Sequence, residues 1–271
     1  LELVPTDILA RHNYGLALLA EHNWVEGWKY YSSSVGTTSR ITTKYLPDPG
    51  EPTWDGTKGK TVVIYSEQGL GDEISFASMI HDLSKVSKKV IIDAHPKLAS
   101  LFKRSFPECD VYGTRKLSNL DWPHNYEIDA SLPMSSLGAF FRRSADSFPR
   151  KPWLLPDPDL RAKWREWLDS YPGLKCGLAW TGGIFLTNRE GRSASLDDYD
   201  PIMCHGATYI SLEYRDDEAG IKEWNDAHPD RRVIRPPVDQ NNYDDVLALV
   251  TELDHVISVT TTIIHACGAI G

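Results

Sequence analysis

The chain has 271 residues, enough for one large or two ordinary α/β domains with substantial cores. A formal net charge of -9 argues against a nucleic-acid or anionic-membrane surface, and no apolar run is long enough to span a bilayer. Cys109, Cys176, Cys204 and Cys267 are far apart and lack metal-ligand spacing; with no signal peptide visible, they read as reduced thiols of a cytoplasmic protein without a metal site.

Residues 6–33 read as a helical hairpin. Thr6 or Asp7 is placed to cap a first helix whose apolar face includes Ile8, Leu9, Tyr14, Leu16, Leu18 and Leu19. Asn23 marks a turn, and a second helix carries Val25, Trp28 and Tyr31. Gly15, Ala17, Gly27 and Tyr31 fall where the two helices would touch, and the pattern resembles one tetratricopeptide repeat. An ordinary helical hairpin fits the same pattern. A single repeat cannot bury its own face, so it should pack on the next domain or close an array upstream, and it offers a place for a protein partner. Residues 34–59 read as an extended connector, with Trp54-Asp55-Gly56 as a turn pinning it to the next domain.

The run 61–65 is apolar without alternation, as in a parallel strand covered on both faces. Gly69 and Gly71 break it, and Asp72 and Glu73 open a helix carrying Ile74, Phe76, Ala77 and Ile80. Corners of this kind sit at the carboxyl ends of strands, where open α/β sheets bind ligands. Glu67, Gln68, Gly69 and Gly71 therefore form a candidate ligand loop, and Asp72 is either a catalytic base or a helix cap. The spacing is neither the dinucleotide fingerprint nor a phosphate loop. Strands at 89–93, 110–112 and 126–128 come next, with helices from Pro96 and around 135–143.

Four prolines in 148–159 mark the domain boundary, followed by a helix at 160–170. A second series has strands at 176–180, 208–212, 232–234 and 255–259, with helices near 196–203, 218–225, 243–253 and from 261 onward. Two doubly wound halves would leave a cleft, a preferred ligand site. The expected divisions are a hairpin over 1–35, a first Rossmann-like half over 36–150 and a second over 151–271. The chain begins at Leu1 rather than Met and stops at Gly271, just after a strand and helix that should feed another strand. It therefore reads as a fragment with an incomplete second half.

The second half offers three corners. Thr181 and Gly182 follow one strand, and the loop after them holds Arg189 and Arg192, whose guanidinium forks suit phosphate; a solvated surface loop has the same composition. Glu213 follows another strand and suits a ribose or sugar hydroxyl. Thr260, Thr261 and Thr262 open the last helix, where unpaired N–H groups and the helix dipole suit a diphosphate, and His265 lies one turn in. Threonine capping and a packed histidine are the plainer alternatives.

Several of these stretches together resemble a known family. Trp54-Asp-Gly, Ser66-Glu-Gln-Gly-Leu-Gly-Asp72, Gly177-Leu-Ala-Trp-Thr-Gly-Gly183, Arg192-Ser193, Ile210-Ser-Leu-Glu213 and residues 258–271 resemble bacterial tetratricopeptide-repeat glycosyltransferase-like proteins, similar in turn to lipopolysaccharide heptosyltransferases. The resemblance implies a GT-B architecture and metal-independent, inverting transfer from a nucleotide-sugar to a glycan or protein acceptor, with no further cofactor. It implies Asp72 as the base, a basic residue near Arg192, and a donor motif on Thr260, Thr261, Thr262 and His265, in which Thr260 replaces the family's aspartate. A non-catalytic protein that binds a nucleotide-sugar or a partner through a degenerate cleft is the alternative, and a nucleotide-sugar epimerase comes third.

Overall fold

The computed structural model describes residues 6–35, 53–66, 68–115, 117, 120–183 and 188–271. Glu67, most of the connector expected at 34–59 and the first residues of the arginine loop, 184–187, lie outside the described residues. The chain divides into two compact units, Leu1–Trp153 and Leu154–Gly271. All four cysteines are free thiols, and among the described residues no helix is long and apolar enough to cross a membrane.

The first unit opens with α1 (Ile8–Ala20) and α2 (Trp24–Tyr31), a hairpin as the spacing predicts. Asp7 caps α1 by accepting from the Ala10 N–H at 2.9 Å. The helices approach closely because the crossing is built from glycine: a Cβ on Gly15 would lie 2.5 Å from the Tyr31 nitrogen, and one on Gly27 2.7 Å from the Leu19 side chain. The apolar face expected for α1 is only partly buried, with Ile8, Leu9, Tyr14 and Leu16 exposed. Burial falls instead on α2, whose Trp28 and Tyr31 pack into the unit. Trp28 lies flat against Gly138, where a Cβ would come within 2.5 Å of the indole, and its Nε1 donates to the Arg142 carbonyl at 2.8 Å.

The sheet of this unit contains β1 (Thr61–Tyr65), β2 (Lys89–Asp93), β3 (Asp110–Tyr112) and β4 (Ala130–Pro133), all parallel in the order β3-β2-β1-β4. Every residue of β1 is buried, which accounts for its unbroken apolar run. Between strands lie α3 (Leu70–Phe76), α4 (Ile80–Ser84) and α5 (Ala99–Ser105), and α6 (Gly138–Phe141) follows β4. Trp54 pins the incoming chain: its N–H donates to the Ser131 carbonyl and its ring packs on Phe140.

The fourth strand is not at 126–128. Tyr126 and Ile128 instead pack with Tyr112 and Trp122 against Val63, Tyr65 and Ile91, and the Tyr126 hydroxyl donates to Asp110 at 2.8 Å. The strand proper is Ala130–Pro133, at a sheet edge whose last residue tolerates proline.

The second unit repeats the plan. It runs α7 (Pro158–Asp169), β5 (Lys175–Ala179), α8 (Leu196–Tyr199), β6 (Thr208–Ser211), α9 (Glu218–Ala227), β7 (Val233–Ile234), α10 (Tyr243–Thr251), β8 (His255–Ser258) and α11 (Thr262–Ile270). The sheet is parallel in the order β7-β6-β5-β8. Trp180, Tyr199, Tyr209 and Trp224 dominate one core layer. Between α7 and α10, Trp164 donates from its indole nitrogen to Asp245 at 2.8 Å. In both units the chain reverses its direction of travel across the sheet beside the first strand. Doubly wound sheets bind ligands at that switch point, outside the carboxyl ends of the strands.

Candidate functional site

In the first unit the switch point lies beside β1, and the loop leaving β1 holds the predicted corner. Gly69 precedes α3 in extended backbone, and Asp72 is the third helical residue. Asp72 Oδ2 accepts from the Gly69 N–H at 3.0 Å, so the carboxylate does cap its own helix. Only one oxygen is used in this way: among the described residues, no donor reaches Oδ1. Gly71 is buried and Asp72 half-buried, so the corner combines a packed floor with a reachable carboxylate.

The most heavily engaged acid here is the next residue, which composition and spacing did not single out. Glu73 is 2 % exposed. Its Oε1 accepts from the His95 N–H beyond β2 at 2.8 Å, and its Oε2 pairs with Arg115 beyond β3 at 3.2 Å. Burial pushes its carboxyl up to about 7 against the lowering effect of these partners. Asp93, at the end of β2, is pushed up to about 6, again chiefly by burial, and accepts from the Thr114 hydroxyl at 2.7 Å. Arg115 also donates to the Gln68 carbonyl, and Gln68 Nε2 donates to the Tyr31 hydroxyl at 2.9 Å. In the sequence Asp93 closes the β2 run and Arg115 follows shortly after β3, whereas Glu73 lies inside α3.

A cavity of about 540 Å³ in this unit is lined by His81, Asp82, Lys85, Glu108, Arg142 and Trp153, among others, and contains none of the corner residues. Arg142 within it is buried by structural bonds to Asp82 and to the Ser78 carbonyl, so volume alone does not mark the chemistry.

In the second unit, the loops leaving β5 and β8 flank the switch point. Gly182 donates from its N–H to Ser193 Oγ at 3.1 Å, and a Cβ at Gly182 would collide with the Arg192 carbonyl. The arginine loop is thereby folded back onto the end of β5, with Ala194 donating to the Trp180 carbonyl. Arg192 in turn donates to the Thr260 carbonyl at 3.1 Å, bringing the loop after β5 to the corner after β8. Arg189 is exposed and contributes its carbonyl, which accepts from Ser193 Oγ at 2.8 Å.

Thr261 caps α11: its hydroxyl accepts from the Ile263 N–H at 3.2 Å and lies 3.2 Å from Ser258 Oγ. Thr260 is exposed, Thr262 begins the helix, and His265 is half-buried one turn further. Glu213, beyond β6, is 2 % exposed. Its Oε1 accepts from the N–H groups of Trp180 and Thr181 at 2.6 and 2.7 Å, while Oε2 is buried without a partner among the described residues. One oxygen of Glu213 therefore shapes the β5 corner rather than meeting solvent. Thr181, Gly182, Arg192, Glu213 and Thr260 thus form one connected polar group. Among the described residues no cluster of three or more His, Cys, Asp or Glu is placed to hold a metal.

No family model matches the chain. Among curated proteins it is 28% identical over 279 residues to Protein FlbA of Caulobacter vibrioides, covering 94% of this chain and 45% of that protein. It therefore spans less than half the length of this relative. Among solved structures it is similar to a family 9 glycosyl transferase from Veillonella parvula, with a TM-score of 0.57, 9% identity, and coverage of 82% of this chain and 81% of that one. It is also similar to the ADP-heptose lipopolysaccharide heptosyltransferase II of E. coli, with a TM-score of 0.50, 10% identity, and coverage of 77% and 82%. The two parallel sheets and these likenesses give the chain a GT-B glycosyltransferase fold.

Proposed function

We propose that the protein transfers a sugar from a nucleotide-sugar to an acceptor hydroxyl, with inversion at the anomeric carbon and without a resident metal. The observation that carries this reading is the Arg192–Thr260 bond, which joins the loops on either side of the second unit's switch point into one anion-binding group. The start of α11 adds helix N–H groups and a favourable dipole, so a diphosphate has a guanidinium and a helix terminus to meet its charge. Those positive groups take the part a divalent cation would otherwise play in stabilising the leaving diphosphate.

In the first unit Asp72 Oδ1 is the base. It removes the acceptor hydroxyl's proton as that oxygen bonds to the anomeric carbon and the bond to the diphosphate breaks. A single displacement of this kind inverts the configuration. The capping bond to Gly69 and the helix dipole both favour the anion and so weaken it as a base; what the bond provides in exchange is a fixed carboxylate.

The test is a calorimetric titration with ADP, GDP, UDP and their hexoses, followed by a transfer assay on Asp72→Asn. Asparagine keeps the cap through its amide oxygen and loses the base. Nucleotide affinity should be unchanged and turnover should fall by about two to four orders of magnitude. Chelation should leave the rate unaltered, and the product anomer, read by NMR, should be opposite to the donor's. Unchanged turnover in Asp72→Asn rejects the assignment.

A second reading is favoured by one observation: Thr260 offers its carbonyl to Arg192 and has no carboxylate to offer a donor. Under that reading the protein binds nucleotide-sugars or a partner without catalysis, and the exposed apolar residues of α1 are the place for the partner. Nucleotide binding without turnover is its expected signature.

A further inference from the structure

Gln68, one residue before the cap, is held from two sides. Its side-chain amide donates to the Tyr31 hydroxyl of the helical hairpin at 2.9 Å, and its carbonyl accepts from Arg115, beyond β3. The same guanidinium reaches Glu73 Oε2 at 3.2 Å, and Glu73 Oε1 is fixed by the His95 N–H beyond β2. The Glu73 side chain is fully buried and that of Arg115 is 11% exposed. A buried ion pair repays little or none of its desolvation as stability, so its retention points to geometry. What this pair fixes is the peptide joining Gln68 to Gly69, whose N–H holds Asp72.

We propose that Glu73 and Arg115 are positioning residues: together with Tyr31 they clamp the Gln68–Gly69 peptide and so set where the Asp72 carboxylate stands during proton transfer. The proposal deepens the sugar-transfer reading and rests on it. Arginine suits the task because its planar fork reaches a carbonyl and a carboxylate at once, whereas lysine presents a single point of charge. The charged groups around Glu73 are Arg115, Asp93, which feels the same arginine, and Asp72 next to it in the chain; His95 faces it through its backbone.

The test uses the full chain and Arg115→Lys, with two readouts: hydrogen exchange of the amides across residues 68–72, and release of nucleoside diphosphate from ADP-, GDP- and UDP-hexoses with water as acceptor. Arg115→Lys is expected to speed Gly69 exchange at least tenfold and to lower turnover at least tenfold, with nucleoside diphosphate affinity unchanged within twofold. Tyr31→Phe, which removes a single hydroxyl, should move both readouts in the same direction by less and serves if the lysine variant folds poorly. The pH profile supplies a readout that a purely structural role would not move. Wild-type turnover should rise through a limb near neutrality as Glu73 ionises and engages Arg115, and Glu73→Gln should lose that limb.

Wild-type exchange in Arg115→Lys overturns the clamp. Fast exchange with wild-type turnover overturns its role in positioning Asp72, as does a neutral limb that survives in Glu73→Gln. If the wild type releases no nucleoside diphosphate from any hexose, the transfer reading fails and the catalytic role with it, while the exchange result still decides whether the clamp exists.

Discussion

Glu73 and Asp93 show what burial does to a carboxyl that has partners. Both are raised, to about 7 and about 6, because desolvation outweighs the arginine and the donors around them. The fold therefore favours their protonated forms. Their contribution to stability is full below ordinary carboxylate values and is lost as the pH rises through the raised ones. For Glu73 the loss is on the order of 3 kcal/mol across that window. Urea unfolding at pH 4.5 and 7.5 should show the wild type losing about that much relative to Glu73→Gln; parallel pH dependences would contradict the buried, raised carboxyl. Asp72 was legible in the sequence because its signals are local: two glycines, an acid and the start of a helical period. Glu73 was not, because its partners His95 and Arg115 lie 22 and 42 residues away and only the sheet brings them together.

At the scale of elements, the loop after β5 depends on one missing side chain. Gly182 admits the Arg192 carbonyl where a Cβ would otherwise stand, and that approach delivers the arginine to Thr260. Gly182→Ala should leave the fold intact and weaken nucleoside diphosphate binding by about tenfold, roughly 1.4 kcal/mol, measured by calorimetry. Wild-type affinity would show that the arginine loop binds nothing. Seven of the eight strands fall where the sequence places them, and β1 shows the signal most plainly: its apolar run is unbroken because every residue is buried in the parallel sheet. The exception is instructive. Residues 126–128 carry β-forming side chains, yet they roof the first sheet, while the fourth strand is Ala-Ser-Leu-Pro, with little intrinsic preference for extension. Its place is set by pairing with β1 and by Trp54, whose N–H meets the Ser131 carbonyl.

For the molecule as a whole, each compact unit holds its own sheet and its own core. Denaturant unfolding is expected to proceed in two transitions. Trp28→Ala should lower the one belonging to residues 1–153 by about 3–5 kcal/mol and leave the other in place. A single transition, or equal shifts in both, would contradict that division. The same variant separates two views of the hairpin, because the ring of Trp28 is anchored at Gly138 and Arg142 in the sheet-bearing part of its unit. A detachable adaptor would tolerate the loss; an integral wall would not.

The seat that Gly138 makes for Trp28 has a further use. With the ring removed, the notch keeps its flat floor and the Arg142 carbonyl that received the indole N–H. Such a void is shaped for a small heteroaromatic molecule, as emptied apolar cores are for benzene. Free indole supplied to Trp28→Ala should raise its melting temperature in a saturable way, whereas benzofuran, of the same outline but without the donor, should do so more weakly. The hairpin's grip on the protein would then be adjustable by the concentration of an added small molecule.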